Sequence, residues 1–117
     1  MIVAKKGLGE ARRRELEAKL PHIVAEIKKL KPLKIILFGS LARGEVRGES
    51  DIDLLAIVED LPERFLERFD LISENLDLPS EVDLLLYTPE EIERMQGVNP
   101  FIKRALREGK VLYAREP

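Results

Sequence analysis

A chain of 117 residues has the length of one ordinary domain, and folding at that length removes roughly two-thirds of the unfolded surface from water. Its 44% hydrophobic and 36% charged residues support a packed core and exclude general disorder. Twenty Lys and Arg against 22 Asp and Glu, a net charge of -2, give no general attraction to long nucleic acid. No cysteine is present, which excludes disulfides and thiol chemistry and fits a reducing compartment. Residues 1–9 hold no apolar run long enough for a signal peptide or a membrane span. One domain over residues 1–117, with 1–9 flexible and a cytoplasmic location, is the expectation.

From Glu10 to Leu30, the residues Leu16, Leu20, Ile23, Val24, Ile27 and Leu30 recur at spacings of three and four, the stripe of an amphipathic helix. Pro21 interrupts it, so a kink or a restart with Pro21 in the first turn is expected. Arg12-Arg13-Arg14 is answered by Glu10, Glu15 and Glu17 at helical spacing and reads as a solvated face. His22 receives no role. Lys34 to Phe38 is a short β-branched and aromatic run that stops at Gly39, and Ser50 to Val58 is a second; both read as buried strands. Between them, Gly39, Gly44 and Gly48 give a polar connection whose backbone can come close to a ligand.

Leu61 to Leu76 reads as a helix with Phe65, Phe69, Ile72 and Leu76 on one, core-facing side. Glu81 to Tyr87 is a third strand. After it, Thr88 caps a helix, Pro89 takes the first position and Glu91 closes a capping box, with the end near Gly97. Pro100 to Glu108 is a last helix stopped by Gly109, and Val111 to Ala114 a fourth strand. The order predicts an α+β fold, a mixed, largely antiparallel sheet with helices packed on it. The first two strands, joined by a short loop, should be antiparallel neighbours.

Alternate residues of a strand share a face, so Asp51 and Asp53 project together. Two adjacent carboxylates repel, and a divalent cation removes that penalty. Asp83 sits between Val82 and Leu84 in a strand that reads as buried, where a lone charge is costly; if that strand lies beside Ser50 to Val58, Asp83 joins the pair. Three hard oxygen donors with no histidine or cysteine suit Mg²⁺ or Mn²⁺ and disfavour zinc. Gly39-Ser40 follows a strand and can turn backbone amides and a hydroxyl toward a phosphate. Arg43 adds positive charge there, completing a triphosphate clamp.

Leu37-Phe38-Gly39-Ser40-Leu41-Ala42-Arg43-Gly44 and Ser50-Asp51-Ile52-Asp53-Leu54, with ten residues between Ser40 and Asp51, resemble the minimal nucleotidyltransferases of the DNA polymerase β superfamily. The resemblance implies the polymerase-β-like fold. It implies that Gly39 and Ser40 hold the triphosphate of ATP or another NTP, that Asp51 and Asp53 bind both metal ions, and that Asp83 helps activate the attacking hydroxyl. The reaction would transfer a nucleoside monophosphate, AMP from ATP, and release pyrophosphate. Many such proteins look like antitoxins encoded beside a HEPN-domain toxin, with a tyrosine hydroxyl of that partner as acceptor. Larger members of the superfamily carry a further domain that grips the base, so a partner is expected to complete the site here. Two other readings stand beside this one: a non-catalytic module that senses nucleotide or metal and neutralises a partner by covering it, and transfer to a small molecule or an RNA end. A homo-oligomer is left open.

Overall fold

The computed structural model describes residues 2–116, with side chains from residue 9 onward. Four strands, β1 (Lys34–Phe38), β2 (Ile52–Ile57), β3 (Val82–Tyr87) and β4 (Lys110–Ala114), form one sheet in the order β3-β2-β1-β4. β1 runs antiparallel to both of its neighbours, and β2 and β3 are parallel. Five helices accompany the sheet: α1 (Ile2–Ile27), α2 (Gly39–Arg43), α3 (Phe65–Asn75), α4 (Pro89–Gln96) and α5 (Pro100–Glu108).

β1 and β2 are almost continuously apolar because helices cover both faces of the sheet. On one face Ile35, Ile52, Leu54 and Ala56 pack with Leu16, Ile23 and Ile27 of α1. On the other, Ile36 and Leu55 pack with Ile92 of α4 and Ile102 of α5.

α1 continues through Pro21 as a single helix. Proline removes one backbone hydrogen bond, but Leu16, Ile23 and Ile27, all fully buried, anchor the helix on both sides of it. The helix also begins well before Glu10, at Ile2. At Gly9 it crosses the chain so closely that a Cβ would sit 2.7 Å from the carbonyl oxygen of Val46. A 3-10 turn, Lys28–Leu30, ends it, closed by Lys31 at φ 55°.

α3 departs from the expected orientation. Phe65 and Phe69, read from their spacing as core residues, are 53% and 61% exposed, and the inward residue is Arg68, 4% exposed. Its guanidinium donates to the carbonyls of Pro62 (2.7 Å) and Leu86 (3.0 Å) and to both carboxylate oxygens of Glu91 (2.8 and 3.1 Å). With four of its five N–H donors answered, the cation is admitted where apolar residues were expected, and the helix turns its phenylalanines outward. Ile72 and Leu76 do pack against the core.

Glu91 is shared with the capping box of α4, as the sequence predicts: Thr88 Oγ1 accepts from the Glu91 amide (3.2 Å) and Glu91 Oε1 from the Thr88 amide (2.8 Å). Burial opposes charge on Glu91, but the hydrogen bonds from Arg68 and Thr88 outweigh it and hold the carboxyl below its ordinary range. The Arg68 and Glu91 pair thus ties α3, β3 and α4 together.

Candidate active site

β1 ends at Phe38, and Gly39 then adopts φ 75° to turn directly into α2. A side chain is disfavoured there by that φ, and there is no room for one: a Cβ on Gly39 would lie 2.2 Å from Asp53 Oδ2. Sheet pairing explains the approach. Phe38 stands opposite Asp53 across β1 and β2, and Asp53 stands opposite Asp83 across β2 and β3. Residues directly opposite share a face, so the turn and two of the three predicted aspartates meet at one end of the sheet.

Asp83 is exposed, which corrects the expectation of a charge inside a buried strand: β3 is an edge of the sheet, and the strand end at Asp83 meets solvent. Asp53 is half-buried. Burial first, then the negative charges of Asp83 and Asp51, push its carboxyl above the ordinary range, with Arg43 opposing in part.

Asp51 precedes β2 and is exposed. Its Oδ1 lies 3.6 Å from Nη2 of Arg12, whose Nε donates to the Ser50 carbonyl at 2.9 Å. Arg12 is therefore more than part of a solvated face. The expected pairs of that face do form, Arg12 with Glu15 and Arg13 with Glu10 and Glu17, but the Arg12 side chain is only 17% exposed and reaches across to the loop carrying Asp51. No local pattern in the sequence signals that long-range contact.

No side chain caps α2, so its first-turn amides are not satisfied by a cap. Ser40 is partly exposed there, while Leu41 and Ala42 turn into the core. Arg43 is exposed, donates from Nε to Glu45 at 3.1 Å, and lines a cavity of about 690 Å³ together with Gly39, Asp53 and Asp83. Ser40 and Asp51 lie outside that lining.

Among the described residues, no three Asp, Glu, His or Cys side chains are gathered closely enough to hold a metal ion. Asp53 and Asp83 nevertheless form an adjacent carboxylate pair whose repulsion a divalent cation would relieve. An all-carboxylate set fits Mg²⁺ or Mn²⁺, and Asp51, its third predicted member, is paired with Arg12 through Oδ1.

Residues 18–113 match the nucleotidyltransferase domain. The chain belongs to that family. All six predicted site residues fall within the matched segment of this nucleotidyltransferase domain, and Arg12 lies outside it. Two relatives in Methanocaldococcus jannaschii, each named a putative protein adenylyltransferase, are 34% identical over 89 residues and 40% identical over 80. The first match covers 72% of this chain but only 60% of the relative, and the second covers 68% and 77%. A crystal structure described as a putative nucleotidyltransferase from Sulfolobus solfataricus shares the fold, with a TM-score of 0.66 at 21% identity over 92% of this chain and 88% of that one. Among the described residues of this nucleotidyltransferase domain, no helix is long and apolar enough to cross a membrane.

Proposed function

We propose that this nucleotidyltransferase domain transfers a nucleoside monophosphate, AMP from ATP, to a hydroxyl group of a partner protein. One observation carries the reading: the close approach of Gly39 to Asp53, which places the start of α2 beside the Asp53 and Asp83 carboxylates in the lining of one cavity. The names of the two archaeal relatives support a protein as the acceptor and AMP as the group transferred. A HEPN-domain toxin as that partner, with this chain as its antitoxin, follows from the motif resemblance.

The first-turn amides of α2, the Ser40 hydroxyl and the Arg43 guanidinium bind the triphosphate oxygens. Asp51, Asp53 and Asp83 would hold Mg²⁺ or Mn²⁺, which when bound neutralises phosphate charge and favours ionisation of the acceptor hydroxyl. Asp83, exposed at the sheet edge, takes the hydroxyl proton. The acceptor oxygen bonds to the α-phosphorus as the bond to the bridging oxygen breaks, and pyrophosphate leaves.

The test is transfer of label from α-labelled ATP to the protein encoded beside this chain, with wild type and Asp53→Asn. Transfer lost in the variant supports the reading, and unchanged transfer sinks it. The hold of Arg12 on Asp51 favours a second reading, a module that silences its partner by covering it. That reading wins if a variant carrying both Asp51→Ala and Asp53→Ala still silences the partner.

A further inference from the structure

The cavity lined by Asp53 and Asp83 is also lined by side chains of a different kind. Phe101 of α5 and Phe69 of α3 both line it, yet they remain 52% and 61% exposed. Phenylalanines are ordinarily buried, and here two from different helices present ring surface to one cleft.

The position of Phe101 is fixed. Asn99 Oδ1 accepts from the amides of Phe101 (2.9 Å) and Ile102 (3.3 Å), and Pro100 holds the first helical position. Its ring meets Phe38 edge to face, with centroids 5.6 Å apart and planes at 86°. Phe38 is the residue immediately before Gly39 and stands opposite Asp53. Phe101 is therefore built onto the same turn that begins the phosphate-binding segment.

Resting on the nucleotidyltransfer reading above, we propose that Phe101 and Phe69 form a stacking site for the nucleobase, and that this site discriminates little among bases. The volume of about 690 Å³ falls within the range of small-molecule sites, roughly 300–1,000 Å³. Continuity with Gly39, Arg43 and Asp53 selects a nucleotide as the occupant: with phosphates at the turn, the attached base extends along the cavity. Stacking uses the face that every base has. Reading a base edge needs hydrogen-bonding groups, and the polar side chains that line the cavity are the charged ones of Arg43, Asp53, Asp83, Arg104 and Glu108. Of these, Arg104 and Glu108 bind each other at 3.2 Å.

Calorimetry with Mg²⁺ and the α,β-methylene analogues of ATP, GTP, CTP and UTP, which block transfer, tests this beside inorganic tripolyphosphate. All four nucleotides should bind within about fivefold of one another and about tenfold or more tighter than tripolyphosphate. Phe101→Ala should weaken the nucleotides about tenfold and leave tripolyphosphate unchanged. Phe69→Ala, on a separate helix, should weaken them in the same sense, so the test survives if one variant folds poorly. Nucleotides that bind no tighter than tripolyphosphate, or that ignore both substitutions, overturn the stacking site while leaving the triphosphate site standing. A preference above about 100-fold for one base overturns the lack of discrimination. Absence of binding by every probe overturns both this inference and the nucleotidyltransfer reading.

Discussion

Gly39→Ala isolates the contact on which the site is built. Two costs arise. A non-glycine residue at φ 75° is strained by about 1–2 kcal/mol. The new methyl also meets Asp53, with Oδ2 at 2.2 Å, Cγ at 3.0 Å and Cβ at 3.2 Å. Rotation of the carboxylate relieves the oxygen, but Cβ is fixed to the strand, so β1 and β2 must also shift, an overpacking cost of about 1–3 kcal/mol. The sum is about 2–5 kcal/mol. In an Asp53→Gly background the carboxylate and the Cβ are both gone and the second cost with them, so the same substitution should lose only about 1–2 kcal/mol. Urea denaturation of the four proteins in metal-free buffer measures the difference. An equal cost of Gly39→Ala in both backgrounds would refute the argument that this glycine exists to admit Asp53.

Arg68→Met leaves the partly buried Glu91 without its cation and should cost about 3–5 kcal/mol in denaturant unfolding; a loss under about 1 kcal/mol would mean that Arg68 is no more than a surface cation. Asp53 titrates above its unfolded value, so as pH rises the unfolded chain releases this proton first and the folded state loses stability between the ordinary carboxylate range and the raised value. Asp53→Asn should flatten that decline in metal-free melting curves, with the two proteins converging at low pH, and an unchanged pH slope would contradict the assignment. Arg12→Gln frees Asp51 from a competing cation and should tighten Mn²⁺ binding, read by electron paramagnetic resonance, by up to about fivefold. Weaker binding would assign Arg12 the opposite task, holding the Asp51 loop in place through the Ser50 carbonyl.

Local features were legible in the sequence. The Thr88 and Glu91 capping box, the helix start at Pro100 and the strand ending at Gly39 each depend on residues a few positions apart. The antiparallel pairing of β1 and β2 followed from the short connection. What joins Asp83 to Asp53 is a parallel pairing across a helix, which the spacing of charges permits but cannot dictate. The exposure of Phe65 and Phe69 escaped periodicity because that pattern assigns cations to solvent. Arg68 reverses the rule by collecting acceptors from Pro62, Leu86 and Glu91, none of them its helical neighbour. The Arg12 contact with the Asp51 loop was hidden behind Glu10, Glu15 and Glu17, which satisfy the local charge pattern by themselves.

The most direct measurement is calorimetric titration of wild type and Asp53→Asn with the α,β-methylene analogue of ATP, with and without Mg²⁺. Magnesium-dependent binding to wild type that disappears in Asp53→Asn is the predicted result. Binding that needs no magnesium, or that survives the substitution, would contradict a catalytic site built on Asp53.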